Sequence, residues 1–340
     1  MIRPLGTILL LALVASGAAR AEDSTALTGP QDTKEADTCL ANAVRQAPDD
    51  TDARTLRAWC QEPSPSQRQR NEDALRARLA LEEFTQFNPF VLTPHRRNYI
   101  LPFTHWSNPQ WNDPEREAAN APLDHMEAKL QLSLKLPIKD DLWGDSTLYG
   151  AFTMESFWQV YNHRLSRPFR ETNYSPELFI ATPLDRQLGP LSLELLAYGY
   201  EHESNGQDVP TSRSWDRLFV NIIFKTGDYY WSLRPWWRFP EEEKDSPLDR
   251  TGDDNPDIER YMGHFELTLA RPFGNHVAEI MLRNNLRTGN KGAGQIEYSF
   301  PINSRVKGML QVFTGYGDSL INYDDYQTRV GVGILLTDTL

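Results

Sequence analysis

Beyond its first 21 residues the sequence has no apolar run of roughly eighteen residues or more, so it offers no bilayer-spanning helix. It also lacks a basic block. Lys and Arg number 35 against 47 Asp and Glu, a formal charge of −12, which is a poor match to a nucleic-acid binder. Apolar residues make up only 39%, low for one large buried core but ordinary for strands that alternate between an apolar and a polar face. One architecture survives these exclusions: a transmembrane β-barrel, whose segments alternate and therefore hide from summed hydropathy.

The N-terminus reads MIRPLGTILLLALVASGAARA. Arg3 supplies a positive start, Thr7 to Val14 an apolar stretch, and Ala19-Arg20-Ala21 a small-x-small cleavage site, so residues 1–21 read as a signal peptide. The chain has two cysteines, Cys39 and Cys60. Export makes a disulfide between them the default expectation, worth roughly 3 kcal/mol by loop-closure entropy. TCLANAVRQ and DARTLRAWCQ have helical spacing around a PDD turn, and residues 22–85 read as a small stapled helical extension.

From about Asn88 the sequence becomes aromatic and alternating. Leu130, Leu132, Leu134 and Leu136 alternate with Lys129, Gln131, Ser133 and Lys135, a period of two that gives a strand one apolar and one polar face. Similar segments lie near 98–106, 146–160, 177–183, 191–204, 215–225, 229–238, 260–270, 276–284, 292–300, 305–316 and 327–337. Together they predict twelve strands, the even number of a bacterial barrel, over residues 86–340. The fold class is thus all-β, a 12-stranded antiparallel transmembrane barrel with a small N-terminal helical extension. Turn signals such as Thr226-Gly227-Asp228 and Pro272-Phe273-Gly274-Asn275 separate the segments. Trp106, Trp143, Trp231, Trp236 and Trp237 fall near strand ends, where an interfacial aromatic girdle would lie.

The stretch from Tyr198 to Arg217, YGYEHESNGQDVPTSRSWDR, carries the chemistry. His202 and Ser204 are two apart and share a strand face with Leu196, Tyr198 and Tyr200. On the returning strand Asp216, Leu218, Val220, Ile222 and Phe224 share a face that is apolar apart from Asp216. Antiparallel pairing would set Asp216 beside His202. A serine hydroxyl is a weak nucleophile unless a base takes its proton and a third group holds that base. Ser204, His202 and Asp216 fit those three roles. A polar trio on a lipid-facing surface is costly without a function.

The run GYEHESNGQDVPTSRSWDRL resembles the signature of the outer-membrane phospholipase A family, as do PFRETNYSPELF, DDNPDIERYMGHFEL and GYGDSLINYDDYQTRVGVG. The resemblance covers most of residues 88–340 and implies a twelve-stranded barrel in the bacterial outer membrane. It also implies calcium-dependent hydrolysis of phospholipid acyl esters by a homodimer. Carried over, it makes Ser204 the nucleophile, His202 the proton acceptor and the backbone N–H of Gly206 an oxyanion donor. Calcium would be held by Gln207 and Ser212 of one subunit and Ser166 of the other, with Asp254 a further ligand; all offer hard oxygens. Two positions depart from the family: Asp216 stands where Asn is usual, and Met154 where a Gln would support it. The alternatives are a non-enzymatic porin or anchoring barrel, and a soluble secreted esterase of sandwich type.

Overall fold

A computed structural model describes residues 93–111, 122–303 and 306–338. The expected signal peptide, the extension at 22–85 and the Cys39–Cys60 pairing lie outside the described residues. Among the described residues thirteen strands form one antiparallel sheet. β1 (Thr93–Pro94) is a two-residue segment laid against β3. The other twelve are β2 (Asn98–Trp106), β3 (Met126–Lys139), β4 (Thr147–Trp158), β5 (Phe169–Leu188), β6 (Leu191–Ser204), β7 (Ser214–Thr226), β8 (Tyr229–Arg238), β9 (Phe265–Phe273), β10 (His276–Asn284), β11 (Gly292–Pro301), β12 (Lys307–Gly315) and β13 (Gln327–Thr337). Each pairs with its sequence neighbour, and β13 returns to β2 through pairs such as Val332–Phe103, closing the ring. Closure leaves the barrel no unpaired edge, which a lipid environment demands.

Alternation builds the wall. Leu132, Leu136, Phe152, Leu178, Leu218, Val220, Ile296 and Val330 are exposed on the outside. The lumen is polar: Ser133, Thr153, Glu177, Glu201, Gln311 and Arg329 are buried there. This apolar-out, polar-in pattern is that of a membrane barrel and inverts a soluble one. The lumen is crossed by ion pairs. Arg234 bridges Glu177 and Glu201 at 2.8 and 3.0 Å, and Arg96 reaches the same two carboxylates at 2.8 and 2.9 Å. A cavity of about 160 Å³ persists among Arg96, Glu201, Arg217, Arg234, Glu266 and Arg283.

Three sequence expectations need correction. β5 runs for 20 residues, not seven. Its inward face is Glu171, Asn173, Ser175 and Glu177, all buried, so the apolar half of the alternation is weak and two prolines further mask it. The segment expected as strand 260–270 starts as helix α1 (Ile258–Met262) and becomes strand only at Phe265. α1 buries Ile258 and Met262 against Trp215, Leu320 and Tyr323, inside one mouth of the barrel. Trp106 and Trp236 belong to no outer girdle. Trp106 is fully buried, with the Arg170 and Arg329 guanidiniums 4.3 and 5.4 Å from its ring centroid, and Trp236 packs edge-on against Trp215. Proximity to a strand end does not decide the face; parity along the strand does. Trp143 and Trp237 are exposed as expected.

Candidate active site

The site is assembled on the outer face where β6 and β7 meet. Their register pairs His202 with Asp216 and Ser204 with Ser214. His202 Nδ1 lies 2.8 Å from Asp216 Oδ1. As Asp216 is an acceptor when ionised, Nδ1 carries the proton and Nε2 is the free base. Both side chains are about one-third exposed on the barrel exterior. Ser204 follows His202 by two residues on the same face, a strand advance of about 6.7 Å that the two side chains can span. Among the described residues no hydrogen bond joins Ser204 Oγ to the ring; such contacts commonly tighten only when substrate is bound.

A fourth group completes the cluster. The Tyr200 hydroxyl donates to the same oxygen of Asp216 that receives His202. Tyr200 is two residues before His202 and shares its face, so the parity signal was present in the sequence; its hydrogen bond was not. Met154 lies on the same outer surface, paired with Tyr174, which in turn pairs with Ser204. It makes no polar contact with Asp216 among the described residues, and Tyr200 supplies the donor there. Behind the wall, Glu203 accepts from Trp215 Nε1 at 2.9 Å and Arg217 at 2.7 Å, fixing the inward face of the same two strands.

The loop between β6 and β7 is held by Asn205, which is buried. Its Oδ1 accepts from the Arg213 and Gln207 backbones at 3.0 and 3.3 Å, and its amide donates to the Thr211 carbonyl at 2.9 Å. Gly206 has φ +63°, and a Cβ there would sit 3.3 Å from the Tyr174 ring. Only glycine takes this conformation freely, and it leaves the backbone beside Ser204 open to a reacting group.

The expected metal ligands fall in two places. Ser212 Oγ donates to Asp254 Oδ2 at 2.6 Å, and Ser214 Oγ reaches the same oxygen at 3.4 Å. Asp254 Oδ1 is taken by the ammonium of Lys244, a residue with no sequence signal of its own. Ser166 stands apart, exposed on the turn between β4 and β5 with φ +59°, and makes no hydrogen bond to Ser212, Gln207 or Asp254. The rim is electronegative: burial, then Asp253, raise the Glu241 carboxyl above its ordinary range, with Asp216 and Asp254 acting in the same sense and Arg238 opposing. The serine hydroxyls are hard oxygens of the kind that suits calcium, and the Asp254 carboxylate beside them is already engaged by Lys244.

The sequence profile of the Phospholipase A1 family matches residues 75–336. Phospholipase A1 of Klebsiella pneumoniae is 39% identical over 255 residues, spanning 74% of this chain and 84% of that one. The outer membrane phospholipase A structure from Escherichia coli aligns with a TM-score of 0.67 at 36% identity, covering 75% of this chain and 95% of its own. A Salmonella typhi outer membrane phospholipase dimer with bound calcium aligns with the same TM-score and identity, over 74% of this chain and 94% of that one.

Proposed function

The chain belongs to the phospholipase A1 family and is an outer-membrane phospholipase, and we propose that it cleaves acyl esters by a Ser204–His202–Asp216 triad facing the bilayer, with calcium as cofactor and a homodimer as the active form. The observation that carries this reading is the 2.8 Å His202–Asp216 contact on the lipid-facing side of the wall.

Ser204 Oγ attacks the ester carbonyl while His202 Nε2 takes its proton. Asp216 holds the ring with Nδ1 protonated and stabilises the imidazolium that results. The Gly206 N–H is one donor to the developing oxyanion. His202 then returns its proton to the lysophospholipid oxygen, and afterwards draws one from water as the fatty acid is released. Calcium would supply positive charge to steady the developing oxyanion. Gln207, through its carbonyl, and Ser212 would hold it, with Ser166 of a second copy completing the set. The Salmonella typhi dimer with bound calcium supports this arrangement, as does the exposure of Ser166 on an outer turn.

Detergent-refolded protein should release fatty acid from dispersed phospholipid, and a chelator should slow it by about 10²–10³, the worth of one oxyanion stabiliser. Turnover unaffected by chelation would remove calcium from the mechanism, and ion conductance without turnover would make the barrel a porin. Asp216→Asn should keep kcat/KM within about tenfold. The Tyr200 hydroxyl donates to Oδ1, so an amide would be turned with its oxygen toward Tyr200 and His202, preserving the ring tautomer. A drop near 10⁴, the cost when an amide reverses the tautomer, would show that the carboxylate itself is required.

A further inference from the structure

We propose that Lys244 is a tethered cation that takes the metal position on Asp254, so that this chain confines calcium to the neutral oxygens around Ser212. The proposal rests on the calcium reading above and asks which of this chain's oxygens are open to the ion. Asp254 is close to fully buried, at 11% side-chain exposure, and Lys244 equally so at 10%. Both oxygens of the carboxylate are engaged. One oxygen is held by the Lys244 ammonium, the other by the Ser212 and Ser214 hydroxyls.

The segment that delivers Lys244 is built for it. Asp253 donates its N–H to the Glu242 carbonyl at 2.7 Å, and Glu243 bridges Asp253. Arg238 anchors Asp253 from the barrel wall at 2.6 Å. Gly252 has φ +96°, and a Cβ there would come within 3.0 Å of Lys244 Cγ; the missing side chain is the space through which the lysine passes. These contacts fix the ammonium against the carboxylate as part of the loop.

Two consequences follow. Ser212 donates its only hydroxyl proton to Asp254, so its lone pairs remain for an ion. Any ion there then meets an ammonium sharing the same carboxylate, where a bare carboxylate would have attracted it. Calcium affinity follows the number of charged ligands, and Lys244 subtracts one.

Calcium binding is therefore measured by titration calorimetry on the full-length detergent-refolded protein, with folding checked by the heat-induced gel shift of the barrel. Lys244→Met should bind calcium at least tenfold more tightly than wild type. Lys244→Gln, which keeps a hydrogen-bond donor for Asp254, should do the same and serves if the methionine variant does not fold. Adding Asp254→Asn to either variant should return the affinity to the wild-type value. Unchanged or weaker binding in both single variants overturns the proposal, as does a gain that survives Asp254→Asn. If wild-type hydrolysis needs calcium but neither Lys244 variant binds it more tightly, the inference alone fails. If hydrolysis ignores calcium while the gain appears and Asp254→Asn removes it, the inference stands and the calcium mechanism falls.

Discussion

Ser204→Ala should lower kcat for phospholipid hydrolysis by at least about 10³-fold, with the barrel's heat-shift and denaturation midpoint unchanged. The magnitude follows from removing a nucleophile that acts as one unit with its base, where each loss alone costs nearly as much as losing all. The fold should not notice: Ser204 is the last residue of β6, and its side chain makes no hydrogen bond among the described residues. His202→Ala should be as damaging, and combining the two should cost little more than either. That non-additivity separates a catalytic unit from two unrelated surface residues. If Ser204→Ala kept a tenth of the activity, the nucleophile would have to be sought elsewhere.

The legibility of this chain divides along strand parity. The outer face of β3 was readable because Leu130, Leu132, Leu134 and Leu136 alternate with polar residues; in β7 the outer Leu218 and Val220 share the parity of Asp216 although the inward Phe219 between them is also apolar, and β7 placed Asp216 beside His202 as the register required. β5 was readable only at its apolar end. Its inner Glu171, Asn173, Ser175 and Glu177 face a polar lumen and are matched outside by Pro176 among apolar neighbours, so no clean alternation survives. α1 was missed because its apolar residues Ile258 and Met262 serve a five-residue helix tucked into the barrel mouth, too short for helical periodicity to show. At the site, the shared face of His202 and Ser204 was legible from their two-residue spacing, and the His202–Asp216 pairing from the strand register. Lys244 and Tyr200 were not, because their partners are set by loop closure and by a cross-strand hydrogen bond that no local pattern encodes.

Arg329→Met should destabilise the barrel by about 3–5 kcal/mol, the range for removing one member of a buried ion pair. The guanidinium has no solvent exposure and links three parts of the structure. It reaches Glu127 of β3 at 2.8 Å, Asp318 of the loop after β12 at 2.7 Å and Thr104 of β2 at 3.0 Å. Methionine would leave Glu127 to Arg170 at 3.1 Å and Asp318 to Lys129 at 3.6 Å, which compensates only in part. The acid limb should also change. Burial alone would raise the Asp318 carboxyl, but Arg329 and then Lys129 outweigh it and bring it from 3.8 to about 2. A carboxyl lowered by folding contributes stability above its unfolded value and loses it as pH falls toward the folded one. Wild-type stability should therefore fall between about pH 4 and pH 2 through this group, and Arg329→Met should flatten that part of the profile. Asp318 carries more than its own charge. The adjoining Leu320 and Ile321 N–H groups bond to Asn173 and Glu171 of β5 at 3.2 Å each, holding the loop inside the barrel mouth. Guanidinium-chloride midpoints measured in detergent at pH 7 and pH 3 would test both claims. Equal midpoints for wild type and variant at pH 7 would show that Arg170 and Lys129 suffice and that Arg329 is dispensable to the closed lumen.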